Sequence, residues 1–350
     1  MNPLITTILL LSLGLGTTIT FASSHWFLAW MGLEINTLAI IPLMAQQHHP
    51  RAVEAATKYF LTQATAAAML LFASMTNAWL TGQWNILQMT HPLPLALLTM
   101  ALALKIGLAP VHAWLPEVLQ GLDLTTGLIL STWQKLAPFA LLVQIHPQTP
   151  EILITLGVTS TLVGGWAGLN QTQLRKILAY SSVAHLGWMI LILQFAPSLT
   201  PLALVMYFFM TFSTFTVFKL KNTTTMNALS TSWAKTPALT AITPLILLSL
   251  GGLPPLTGFM PKWLILQELT KQELALLATI AALSALLSLF FYLRLCYAMT
   301  LTMAPNNIAG TTPWRLLPSQ ATLPLAISTT ATLLLLPLTP TTTTLFMLLT

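Results

Sequence analysis

Charge is what this sequence most conspicuously lacks: Asp, Glu, Lys and Arg make up 6% of its 350 residues, against 55% hydrophobic. A water-soluble domain needs about a quarter charged residues, because its surface has to be wetted. A mean hydropathy of +0.80 points the same way. The surrounding solvent must be lipid, and the fold class is an all-α polytopic membrane protein.

Other absences narrow the function. Cys296 is the single cysteine, which excludes an internal disulfide framework and a thiolate metal site. No two of the seven histidines have HExxH-type spacing, and no dinucleotide fingerprint, haem ligand pair or nucleophile elbow occurs. The chain is therefore expected to hold neither metal nor cofactor. The net charge of +6 is scattered rather than clustered. It excludes a nucleic-acid surface and reads instead as membrane topology through the positive-inside rule. No Lys or Arg precedes the first apolar run, MNPLITTILLLSLGLG. A signal peptide wants such a basic region, so residues 3–21 read as a retained first span. No stretch is long and polar enough for a separate soluble domain, so residues 1–350 form a single transmembrane domain.

What is present is apolar runs. A helix needs about 20 apolar residues to cross the hydrocarbon layer. Such runs predict about eleven spans, at 3–21, 25–45, 55–78, 95–120, 123–145, 150–170, 174–195, 200–219, 238–268, 273–299 and 320–345. Turn chemistry at 46–50, 90–94, 146–150, 170–173, 196–201 and 305–313 separates several of them. The loops after even spans carry Arg51, Lys58, Arg175, Lys176, Lys221, Lys235 and Arg315; those after odd spans carry only Lys271, beside Glu268 and Glu273. The even loops and the N-terminus are thus expected on the cytoplasm-equivalent side, with the C-terminus opposite. Glu54 and Lys58, spaced i, i+4, would support the start of the third span.

The fourth and ninth runs are overlong and interrupted. One reads GLAPVHAWLPE from Gly107, the other GLPPLTGFMPK from Gly252, with Gly, Leu, Pro and Pro shared at a constant offset. One run is even and the other odd, so they cross in opposite directions. Paired broken helices of opposite sense are the mark of an inverted-topology repeat, here approximately 1–145 and 150–300 plus a C-terminal helix at 320–345.

Four charges fall inside spans: Glu34, Lys105, Lys135 and Lys262. Each costs at least ~2.5–3.5 kcal/mol at mid-membrane, so each is expected to face a hydrated interior. A glutamate–lysine pair, Glu34 with Lys105, is the expected contact. A lysine held between burial and a nearby carboxylate can change protonation, which an arginine does not. Together with broken helices these residues describe a proton path; the competing reading is that they only hold helices together. His112, in the first break, and His185, in SSVAHLGWMI, could relay protons or simply pack. His48, His49, His91 and His146 read as interfacial loop residues. The Gly164–Gly165 and Gly251–Gly252 pairs read as close helix packing rather than phosphate binding.

The segments WMGLEIN around Glu34, EAATKYFLTQA from Glu54, KIGLAPVHAWLPEV from Lys105, RKILAYSSVAHLGW from Arg175 and GLPPLTGFMPKW from Gly252 resemble, in order over nearly the whole chain, the chain 2 family of mitochondrial NADH:ubiquinone oxidoreductase (respiratory complex I). That family is related to Mrp-type cation/proton antiporters. The resemblance implies an antiporter-like membrane-arm subunit that moves protons while redox chemistry proceeds elsewhere in the complex. It implies the glutamate–lysine pair at Glu34 and Lys105, a central-axis lysine at Lys135 and an exit-side lysine at Lys262, with His112 and His185 near the same axis. NADH, FMN, iron–sulfur clusters and ubiquinone would be bound by other subunits. Partners would be neighbouring antiporter-like subunits and phospholipid. The location implied is the mitochondrial inner membrane, with the N-terminus in the matrix and the C-terminus in the intermembrane space. The alternatives are a stand-alone Mrp-type antiporter and a purely structural subunit of the membrane arm.

Overall fold

The computed structural model describes residues 3–46, 49–89, 91–145, 150–234, 236–301 and 323–349. His48, His146, Lys235, Arg315 and the expected turn at 305–313 lie outside these residues. The described chain is helical throughout, with only isolated bridges such as His25 to Asn85 and no named strand. It divides into two compact units, Met1–Leu156 and Gly157–Thr350.

The first unit is built on α1 (Pro3–Ala22), α2 (Trp26–Met44), α3 (Pro50–Thr81), α4 (Pro92–Ile106), α5 (Trp114–Gly121), α6 (Leu124–Ser131) and α7 (Trp133–Ile145). Local chemistry sets these limits. Helix α3 starts with Pro50 in its first turn, where the missing N–H costs nothing, and the His49 ring accepts from the Arg51 N–H at 3.3 Å. It stops at Gly82, in the left-handed conformation that a glycine adopts most readily. Helix α4 stops in the same way at Gly107, φ +86°.

The second unit contains α8 (Pro150–Ala167, whose first turns belong to the first unit), α9 (Leu174–Ile192), α10 (Leu199–Lys221), the short α11 (Met226–Ser230), α12 (Pro237–Gly251), α13 (Phe259–Lys271), α14 (Ala275–Thr300), α15 (Leu323–Leu334) and α16 (Thr339–Leu349). Helix α12 ends at Gly252, φ +80°, as α4 ends at Gly107. Both stops are followed by stretches of equal length, residues 107–113 and 252–258, before the helix resumes. A cis X–Pro bond lies within each, at Ala109–Pro110 and Pro254–Pro255. Alpha-15 covers the second break: Ser249 and Thr257 both donate to the Thr332 carbonyl, the former at 3.0 Å.

The pattern of exposure is inside-out for a water-soluble protein. Leu11, Trp79, Leu283 and Phe290 lie open at the surface, while Asn36, Gln63, Asn77 and Ser160 are buried. Apolar side chains facing outward and polar ones holding helices together are what lipid demands. Among the described residues, seven helices are long and apolar enough to cross a membrane, or eight if the bent pair α15–α16 counts as one span. That falls short of the about eleven expected. Three of the expected runs account for the difference. Those at 95–120 and 238–268 are broken, leaving α4 and α12 as shorter apolar helices, and α9, with its Arg175, Lys176, His185 and serines, is outside the apolar set. The close-packing reading of Gly164 holds: a Cβ there would meet the Ala184 backbone nitrogen at 2.7 Å, so α8 and α9 touch backbone to backbone.

Candidate functional site

In the first unit the break after α4 frees backbone carbonyls that no helical turn can satisfy. Side chains fill the gap. Trp114 Nε1 donates to the Leu104 carbonyl at 3.0 Å, and Gln63 Nε2 reaches the Lys105 carbonyl at 3.5 Å. The Lys105 side chain is 6% exposed and turned inward, and Lys135, on the kinked α6–α7 segment, is 2% exposed. Both line one small cavity with Asn36, Tyr59, Gln63 and Gln134. It has room for about one water molecule, in a setting with enough polar partners to hold it. Two lysines a sequence reading could only place on neighbouring spans therefore share a polar chamber.

Glu34 sits half-buried on α2, within electrostatic reach of Lys105 and of Tyr59. It makes no hydrogen bond with Lys105. The Lys105 ammonium and one Glu34 carboxylate oxygen are both buried without a hydrogen-bond partner. The expected contact pair is thus a pair coupled through space. A buried donor and acceptor left unsatisfied each carry a penalty of about 1–3 kcal/mol or more, which an intervening proton or water would relieve.

In the second unit, Lys262 follows the break and folds back on it. It is 8% exposed, and its ammonium donates to the Gly251 carbonyl, in the last turn of α12, at 2.7 Å. The negative end of the helix dipole and a freed carbonyl supply the partner that, among the described residues, no carboxylate does. Gly252 makes room for it, since a Cβ there would meet Lys262 Nζ at 2.9 Å. Around Lys262 stand Ser181, His185, Trp188, Ser288 and Tyr292. The His185 ring packs on Tyr207 with centroids 5.6 Å apart. So His185 joins Lys262 in a compact polar cluster of hydroxyls, imidazole and ammonium. His112 differs: it is half-buried in the first break, bonded to the Pro110 backbone, and outside the Lys105–Lys135 chamber.

Sequence reasoning missed two features. Lys221 was expected in a loop on topological grounds, but it is 4% exposed at the end of α10, donating to Thr243 Oγ1 at 2.5 Å. Nothing in FKLKNTTT separates an outward from an inward lysine; only the packing of α10 on α12 does. The second is Glu117. Lys58 binds Glu54 at 2.8 Å as its i, i+4 spacing implied, and also Glu117 on α5 at 2.9 Å. All three side chains are substantially exposed, so the cluster ties α5 to α3 but contributes little stability. Among the described residues no three His, Cys, Asp or Glu gather to hold a metal ion.

Known proteins place this architecture. Residues 23–288 match the NADH:quinone oxidoreductase/Mrp antiporter transmembrane family, and residues 289–343 match the NADH dehydrogenase subunit 2 C-terminus family. The chain is 74% identical to NADH-ubiquinone oxidoreductase chain 2 of Tetraodon nigroviridis, over 99% of both proteins. It is 73% identical to that of Gadus morhua, over 98% of both. Among solved structures, a chain of respiratory complex I from Thermus thermophilus with bound aureothin superposes with a TM-score of 0.84 at 31% identity, covering 97% of this chain and 78% of that one. The Mrp complex from a Dietzia species has the same fold, with a TM-score of 0.82 at 17% identity over 97% of this chain and 75% of that one. Matched from end to end by chain 2 relatives and built on the fold of the complex I membrane subunits, the chain belongs to the chain 2 family of NADH-ubiquinone oxidoreductase.

Proposed function

We propose that the chain works as an antiporter-like membrane-arm subunit of the proton-translocating NADH:ubiquinone oxidoreductase, in the mitochondrial inner membrane beside other antiporter-like subunits and phospholipid. The observation that carries the proton role is the pair of buried lysines, Lys105 and Lys135, facing one polar chamber with a carboxylate in electrostatic reach. An ammonium in that setting changes its charge when the carboxylate's influence changes, and a single water suffices to pass the proton on. Glu34 modulates Lys105, Lys135 carries the proton, and Lys262, with His185 beside it, controls release on the far side. His112 has a local role in the first break.

Moving one charge against 100 mV takes about 2.3 kcal/mol. The chain's own residues include no redox group, so NADH oxidation and quinone reduction in partner subunits supply the energy. No cofactor is expected in this chain itself. The similar construction of the two breaks supports an inverted repeat and a count of about eleven spans, in which α9 and the two broken helices also cross. The distribution of basic loops supports an N-terminus in the matrix and a C-terminus in the intermembrane space.

A stand-alone antiporter and a purely structural subunit are the rival roles. Reconstituted alone in liposomes, the chain is expected to carry no cation or proton flux; sustained flux without partner subunits would mean a free-standing antiporter. Neutralising the chamber lysines in the whole complex without any change in coupled turnover would leave only the structural role.

A further inference from the structure

Near the end of α14 the surface opens into an apolar groove of about 440 Å³, lined by Met226, Phe290, Leu293, Arg294, Tyr297, Ala298 and Leu301. Its walls are greasy and open: Phe290 is 56% exposed, Tyr297 57% and Leu301 78%. On a membrane protein, that alone describes any lipid-facing surface. Arg294 makes this groove different. It lies on a helix long and apolar enough to span a membrane, half-buried in the groove lining, and one of its guanidinium nitrogens is anchored by a 2.7 Å bond to the Leu169 carbonyl. Among the described residues Arg294 forms no ion pair with any carboxylate.

A guanidinium has five N–H donors in a rigid fork, and the carbonyl bond uses only part of that set. The anchor also fixes the fork in place, which lowers the cost of immobilising it on a ligand. Arg294 is two turns or fewer from the end of α14, and the groove is closed on one side by Met226 of α11, which belongs to a connection between spans. Tyr297, one turn on, is an amphipathic aromatic of the sort that sits at headgroup level. A positive fork at headgroup depth above an apolar channel is complementary to one kind of molecule: a lipid with a phosphate-bearing, net-negative headgroup and acyl chains to lie along Phe290 and Leu293.

We infer that this groove is a binding site for an anionic phospholipid, its phosphate held by Arg294 and an acyl chain lying against Phe290, Leu293 and Ala298. The site is independent of the lysine chambers and of the proton role. It needs only that α14 lies in a membrane.

The test uses the whole purified complex in liposomes containing a small fraction of diazirine-bearing phosphatidylglycerol, or, in parallel, the matching phosphatidylcholine probe. After illumination, adducts are mapped by peptide mass spectrometry. The expected result is adducts on residues 286–301, with the anionic probe favoured by about tenfold, as suits a charge-assisted bond to phosphate. Arg294→Gln should abolish the preference. Ala298→Phe, which fills the groove and leaves the guanidinium in place, should remove the adducts themselves. Equal labelling by both probes would reduce the groove to ordinary annular lipid. Labelling absent from 286–301 in the wild-type complex would mean that a neighbouring subunit covers it. Either result overturns the site.

Discussion

Gly252→Ala probes the second break where backbone and buried charge meet. Gly252 sits at φ +80°, so any L side chain there costs roughly 1–2 kcal/mol in the backbone alone. The added methyl would also lie 2.8 Å from Lys262 Cδ and 2.9 Å from its Nζ. The ammonium must then leave the Gly251 carbonyl, losing a charged hydrogen bond worth about 1.5–3 kcal/mol. The expected total is about 2.5–5 kcal/mol, by simple addition of the two effects. A double-mutant comparison separates them. In a Lys262→Met background the ammonium is gone, and Gly252→Ala should cost only the backbone part, leaving a coupling of about 1.5–3 kcal/mol between the two sites. Gly107→Ala is the internal control, because its methyl would meet Leu115 and Trp114 rather than a lysine. The readout is the thermal unfolding of the purified complex, compared across the four variants. Equal losses in the wild-type and Lys262→Met backgrounds would refute the seating of Lys262 against Gly252 and the carbonyl behind it.

Two further outcomes follow from the same geometry. Glu34→Gln removes a charge that acts on Lys105 through space, not through a hydrogen bond. The complex should assemble normally while coupled turnover falls about tenfold, the effect of roughly 1.4 kcal/mol of lost charge–charge interaction; unchanged turnover would remove Glu34 from the mechanism. At the other end, Thr243 accepts from the buried Lys221 ammonium while its own hydroxyl hydrogen is directed to backbone carbonyls of α12. Thr243→Val should therefore destabilise the complex by about 1–3 kcal/mol, and Lys221→Met should rescue it, since removing both partners is nearly neutral. Thermal melts of the single and double variants decide this, and a double variant no better than Thr243→Val alone would show that the bond is incidental.

Much of this architecture is legible in the sequence because lipid enforces simple rules. A chain with 6% charge has few places to put a lysine, so Lys105, Lys135 and Lys262 announce themselves. Both helix breaks were readable too, since Gly followed by Pro can neither continue a helix nor donate through the missing N–H. The pairing of partners was less readable. Glu34 and Lys105 looked like a contact pair, yet direction along a helix and the width of a cavity decide whether charges touch, and neither is written in spacing. Lys221 shows the same limit: a lysine at a span end can reach for water or fold inward, and only the hydroxyl of Thr243 on another helix settles which. The number of spans is read differently from hydropathy and from single helices for a related reason. Hydropathy sums a run across a break, whereas the backbone divides it into pieces such as α4 and α5 that are individually too short.

The central claim is that the buried lysines of the two units carry the translocated charge. The measurement closest to it is the proton-to-electron ratio of the reconstituted complex carrying Lys105→Met or Lys262→Met, with assembly verified and NADH oxidation by an artificial acceptor used to normalise the redox module. A lower ratio in both variants, with acceptor reduction unchanged, is the predicted result. Fully assembled variants that pump at the wild-type ratio would contradict it.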